Sequence, residues 1–166
     1  GDALGRTLAE TIVARRAQPP FAASAMDGYA LRGGDTPGRL RVIGEAGAGR
    51  ALMQPLGAGE CARIFTGAPL PAGADSVLIQ EEAAREGDVI IAPKVETGRH
   101  VRRAGLDFGE GARLLEAGTV LDGPRLSIAA AAGQAEVMAA RRPIVTTLSG
   151  GDEIVPPGAT PGPDQI

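Results

Sequence analysis

Between about residues 34 and 96, short runs rich in valine and isoleucine alternate with glycine and proline: Leu40–Gly44, Cys61–Thr66, Ser76–Glu82 and Val89–Pro93. Such spacing predicts short strands of a small barrel or sandwich forming a unit of its own. Glu86-Gly87-Asp88 falls between the last two runs and reads as a hairpin loop. Ahead of this block, Leu4, Leu8 and Ile12 stand at i, i+4 and i+8. Asp2 occupies the N-cap place and Pro19-Pro20 supplies a stop, so the spacing predicts a helix over 3–16. After the block, residues 97–140 are turn-rich and charged. There "DGPRLSIAAAAGQ" predicts a short helix, with Asp122 as cap, Pro124 in the first turn and Gly133 at the close. "AEVMAA" then reads as a strand. Ile144–Leu148 is a continuous run of the kind buried on both faces of a parallel sheet. The turn Ser149-Gly150-Gly151 follows it directly, as at the start of a mononucleotide-binding α/β unit. The Pro/Gly-rich tail "VPPGATPGPDQI" is expected to lack structure by itself. No internal repeat is visible.

Composition narrows the picture. The chain has 166 residues, enough for one medium domain or two small ones. Its 17 basic and 20 acidic residues give a net charge of −3 and no electrostatic case for nucleic acid. No apolar run is long enough to span a bilayer, and the first residues lack the pattern of a signal peptide. They also lack an initiator methionine, which fits an excised fragment. Cys61 is the one cysteine, so an intrachain disulfide and a cysteine-held zinc are excluded and a reducing cytoplasm fits. Aromatic residues make up only 2%, so the core must be aliphatic, with modest stability or help from oligomerisation expected.

The candidate chemistry is sparse. His100 has no second histidine or cysteine near it, which disfavours a catalytic triad or a zinc site and leaves a surface histidine. No phosphate-binding GxxxxGK[ST] motif occurs. What remains is a set of acidic residues in glycine-rich loops: Asp27 in "AMDGYA", Asp107 in "RRAGLDFGEG", and Asp152-Glu153 in "SGGDE". Thr66-Gly67 adds a hydroxyl at a strand end. Carboxylates on stiff loops suit Mg²⁺, which takes one or two of them plus substrate phosphates. Backbone N–H groups of Thr-Gly and Ser-Gly-Gly turns suit an oxyanion. Each motif alone reads equally as a plain turn. In "PPFAASAMDGYALR" the Asp-Gly pair is itself a strong hairpin signal, because a type I′ turn needs positive φ at both central residues.

In order along the chain, "PPF–SAMDGYA", "RIFTGAPLPAGAD", "VRRAGLDF" and "SGGDE" resemble the molybdopterin molybdenumtransferases, comprising the bacterial MoeA proteins and the E-type domains of gephyrin and its plant counterpart. The resemblance implies an α+β, multidomain fold. A helical dimerisation domain would be split over 1–33 and 97–140, and a β-rich, barrel- or sandwich-like domain would be inserted at 34–96. Residues 141–166 would begin a truncated α/β molybdopterin-binding domain. It implies insertion of molybdate into adenylylated molybdopterin with release of AMP and with Mg²⁺ as cofactor. It also implies a homodimer and a molybdopterin adenylyltransferase partner. Most pterin-contacting residues would then lie beyond Ile166, leaving these residues inactive alone.

Residue by residue, the resemblance makes Asp27, Thr66, Asp107 and Glu153 catalytic. It makes Ser149 and Gly151 substrate-binding, and Asp27 and Asp107 ligands of Mg²⁺. Phe21 and Tyr29 would anchor the loop that presents Asp27. Gly150 replaces the family's threonine and removes a hydroxyl from the turn that would grip the pterin. The rival reading is a non-catalytic dimerisation or scaffold module of a gephyrin-like protein.

Overall fold

The computed structural model describes residues 2–166 and is mostly β. Its elements are β1 (Ile12–Val13), β2 (Ala23–Ser24), β3 (Gly28–Leu31), β4 (Gly38–Ala46), β5 (Glu60–Ile64), β6 (Ser76–Ile79), β7 (Ala84–Glu86), β8 (Val89–Ala92), β9 (Val101–Arg102), β10 (Arg113–Leu115) and one helix, α1 (Gly123–Ala131). Six strands form a curled sheet in the order β6-β3-β5-β4-β8-β7. Within it only β4 and β5 run parallel, with an irregular register between Val42 and Glu45. Two small antiparallel pairs, β1 with β10 and β2 with β9, lie outside that sheet.

The sheet holds because β3 is buried on both faces. Tyr29 and Leu31 pack with Leu40, Cys61, Leu78 and Ile90 on one side. Ala30 packs with Ala46, Ile64, Ala68 and Val77 on the other. Strand alternation sends successive side chains to opposite faces, so each β3 residue meets one core or the other. Burying one Leu- or Ile-sized side chain is worth about 1.5–3 kcal/mol, which makes these aliphatic layers the main source of cohesion.

The four strand runs are recovered with small shifts, as is the hairpin. Glu86 pairs with Val89 across a two-residue turn in which Gly87 takes φ +64°. α1 also forms where expected, with the Asp122 carboxylate accepting from the Arg125 amide at 2.9 Å. A 3-10 turn at 80–82 replaces the last part of the expected Ser76–Glu82 strand.

Other expectations fail. The helix over 3–16 does not form. Gly5 donates to Leu121, Leu8 to Thr119 and Leu121 to Arg6, each at 2.8 Å, so this segment, with a turn at 2–5, bends at 9–10 and a strand only at β1, is bonded to 119–121 in place of a helix. A four-residue spacing is a multiple of two as well as nearly a helical turn. Leu8, Ile12 and Ala14 are buried together with Leu115 and Leu121, while Leu4 stays exposed. The region 1–33 with 97–140 is therefore not helical: α1 is its one α-helix among the described residues. "AEVMAA" forms only an isolated bridge, between Ala139 and Leu8.

Ile144–Leu148 is not a strand either. Ile144 is 93% and Leu148 96% exposed, and the segment pairs with no strand among the described residues. A buried-strand composition yields a strand only where a neighbour satisfies the backbone. The Pro/Gly tail, expected to be structureless, turns back on itself, with the Val155 amide donating to Ile166 O at 3.0 Å.

Candidate functional site

The Asp27 loop lies beside the Thr66 loop. Ser24 N donates to Ala68 O at 3.0 Å and Gly67 N to Ser24 O at 2.9 Å, joining the two segments in antiparallel fashion. Ser24 Oγ donates to Met26 O at 2.6 Å and closes the turn that follows. The exposed Asp27 carboxylate accepts from the Thr66 amide at 2.7 Å and from the Thr66 hydroxyl at 2.8 Å. Both bonds fall on Oδ1, and among the described residues no donor reaches Oδ2. The Thr66 amide, then its hydroxyl, hold the Asp27 carboxyl below the usual aspartate range, and the Arg63 charge adds to this. Near neutral pH the site thus presents an ionised carboxylate with a free oxygen.

Asp-Gly here is not the turn its sequence advertises. Gly28 opens β3 without positive φ. A Cβ at this position would sit 1.9 Å from the Leu78 carbonyl oxygen, so glycine is required by the approach of β6. Tyr29 is buried and anchors the loop as expected, whereas Phe21 is exposed and does not.

Behind the pair stands Arg63, which sequence reasoning missed. Its guanidinium lies 4.8 Å from the Phe65 ring centre and 5.3 Å from that of Tyr29. It donates to Gly28 O at 3.0 Å and to the Gln80 side chain. Glu81 adds a second carboxyl near Asp27, held below its usual range by the Gln80 side-chain amide and raised somewhat by the Asp27 charge. The available signal was the two-residue spacing Arg63-x-Phe65, which puts both on one strand face. Nothing local marks Gln80.

Asp107 is exposed and lines a cavity of about 590 Å³ with Phe21, Pro20, Arg102 and Gly67, the residue after Thr66. The cavity therefore connects the "TGAPLP" and "RRAGLD" segments. Ser149, Gly151 and Glu153 are exposed, and no hydrogen bond ties them to Asp27, Thr66 or Asp107 among the described residues. Glu153 instead lies with Asp152, Asp164 and Gln165 around a pocket of the terminal segment. His100, expected on the surface, is half-buried at φ +56°. Its Nε2 is buried without a partner and its carbonyl accepts from the Ala25 amide at 2.9 Å. No three His, Cys, Asp or Glu side chains converge to hold a metal among the described residues. No helix among them is long and apolar enough to cross a membrane.

The chain is thus mostly β, with its Asp27 and Thr66 loops paired and one carboxylate, Asp107, on the neighbouring cavity. The family model for the MoeA N-terminal region (domain I and II) matches residues 1–133, and the chain belongs to that family. It is 38% identical over 173 residues to molybdopterin molybdenumtransferase 2 of Mycobacterium tuberculosis, covering 99% of this chain and 42% of the relative. It is also 38% identical over 159 residues to the molybdopterin molybdenumtransferase of a Nostoc species, covering 91% of this chain and 36% of the relative. The crystal structure of the molybdopterin biosynthesis MoeA protein from Pyrococcus horikosii superposes with a TM-score of 0.90 at 38% identity, over 99% of this chain and 44% of that one. The chain thus spans about two fifths of the length of the relatives it matches.

Proposed function

We propose that these residues belong to a molybdopterin molybdenumtransferase that inserts molybdate into adenylylated molybdopterin and releases AMP, in the service of molybdenum cofactor biosynthesis. The observation that carries this reading is the Asp27 carboxylate clamped by Thr66 at 2.7 and 2.8 Å and left with one free oxygen. A carboxylate so held is preorganised to meet a cation or a water beside a phosphoanhydride without reorganising during reaction. Asp107, on a cavity that reaches only Gly67 next to Thr66 and that Asp27 does not line, would be the second acidic group. Asp27 and Asp107 suit Mg²⁺ as an incomplete set, since this ion completes its octahedron with waters and substrate phosphates. Such an ion would neutralise charge on the phosphates, while this chain's residues position it.

Glu153, Ser149 and Gly151 would reach the substrate from the opening of the pterin-binding domain, 141–166. The first two domains would divide ahead of β3 rather than at 33/34, because β3 (Gly28–Leu31) pairs with β5 and β6 inside the six-stranded sheet: the residues before it with 97–140 would form one domain and those from it to 96 the other. The full-length protein would be a cytoplasmic homodimer that receives its substrate from a molybdopterin adenylyltransferase, and the 166 residues alone would not turn over.

The test is molybdate-dependent AMP release by the full-length protein beside its Asp27→Asn form. Asparagine keeps the shape and removes the charge, so turnover should fall about 100-fold or more. Near-normal turnover would remove Asp27 from the chemistry.

A further inference from the structure

We propose that Arg63 and Gln80 are positioning residues that hold the Asp27 carboxylate against Thr66 by bracing the start of β3 between two neighbouring segments. The inference rests on the reading of Asp27 and Thr66 as a reacting site.

The geometry is a closed circuit. Arg63 Nη1 donates to Gly28 O at 3.0 Å, one residue after Asp27, and its Nη2 donates to the Gln80 side-chain oxygen. The Gln80 backbone N–H in turn donates to Asp27 O at 3.1 Å. Asp27 is therefore held at its own carbonyl, at the next carbonyl and at its carboxylate. Arg63 also starts the short segment that ends at Thr66, so one guanidinium fixes both sides of the carboxylate contact.

Its own freedom is removed by the rings of Tyr29 and Phe65. Tyr29 is the direct cross-strand neighbour of Arg63 in the β3–β5 register, and Phe65 lies two residues along the same chain. The planar fork does what an ammonium group does not: it stacks on aromatic faces while donating in two fixed directions. Both Nη atoms are engaged within the protein, which assigns this cation to structure around the site.

The experiment uses the full-length protein with Arg63→Ala, Arg63→Lys and Gln80→Ala, read by steady-state AMP release and by amide hydrogen exchange of the segment 64–68. Displacing a catalytic group by about 1 Å can slow a reaction about 100-fold. Arg63→Ala should therefore lower kcat by about 10–100-fold with KM unchanged, and free guanidinium should restore part of it. Arg63→Lys should recover less than the full rate. Gln80→Ala should show a smaller fall in kcat, and exchange of 64–68 should quicken in every variant.

A rise in KM at constant kcat would overturn the proposal by making Arg63 a substrate contact. Unchanged kcat and exchange would overturn it outright. If Arg63→Ala does not fold, Gln80→Ala, which alters an exposed side chain, decides on the same criteria. If the unmodified protein releases no AMP, the reading of the reaction fails, and exchange in 64–68 still decides the bracing.

Discussion

Two acidic loops stand side by side in the sequence reading and apart in the fold. Asp27 stands directly before Gly28, and Glu153 stands two residues after Gly151. Asp27 is fixed by Thr66, by the Gln80 backbone N–H and by a braced β3. Glu153 sits in a stretch that is exposed apart from Val155 and whose bonds run to its own neighbourhood, including Ile166 N to Glu153 O. The lesson is that a carboxylate becomes preorganised through the elements behind it. A six-stranded sheet with core on both faces backs Asp27, and no strand backs Glu153 among the described residues.

The comparison can be broken most directly at the sheet. Leu78 is fully buried between β3 and its core partners, so Leu78→Ala should destabilise the protein by about 2–5 kcal/mol in guanidinium denaturation. The amide exchange of 64–68 should quicken with it. Next comes Gly28→Ala, whose new methyl would meet the Leu78 carbonyl. It should be less stable by about 1–3 kcal/mol, an overpacking effect, and should loosen Asp27 while leaving the 150–155 amides unchanged by NMR.

Thr66→Val sharpens the contrast at the site. It removes the hydroxyl bond and keeps the amide bond, the stronger influence, so the Asp27 carboxyl should move up toward its ordinary 3.8 but remain below it in a carboxyl NMR titration. The sign follows from linkage: a depressed carboxyl stabilises the fold above its unfolded pKa and loses that contribution as pH falls through the folded value, so Thr66→Val should lessen this loss. The smallest effect should come from Ile144→Ser in this chain. Its side chain is 93% exposed, and stability should change by no more than about 0.5 kcal/mol. A larger loss would show that 141–148 is packed in solution and would dissolve the contrast.

Much of the sheet was legible because its signals are local. Valine- and isoleucine-rich runs between glycines give strands, Gly87 with φ +64° closes a hairpin, and Asp122 caps α1. The segment 3–16 misled because Leu4, Leu8 and Ile12 satisfy helical and extended periodicity alike, and only bonds to 118–121 decide between them. Ile144–Leu148 misled for the opposite reason: composition marks what a strand can be, and a pairing partner makes it one.

At the site, Asp27 and Thr66 were legible as residues but their contact was not, since 39 positions separate them. Arg63 and Gln80 carried no local sign of their role, because it consists of bonds between strands that are distant in sequence. The sequence by itself determined the aliphatic core, the strand runs, the capped helix and the ordered motifs that mark the family. Only the tertiary structure decided that Gly28 is a close-approach glycine, that the Asp27 carboxylate is clamped and that Glu153 is not. Local preferences act over a few residues, whereas burial and long-range hydrogen bonds exist only once the chain has brought distant segments together.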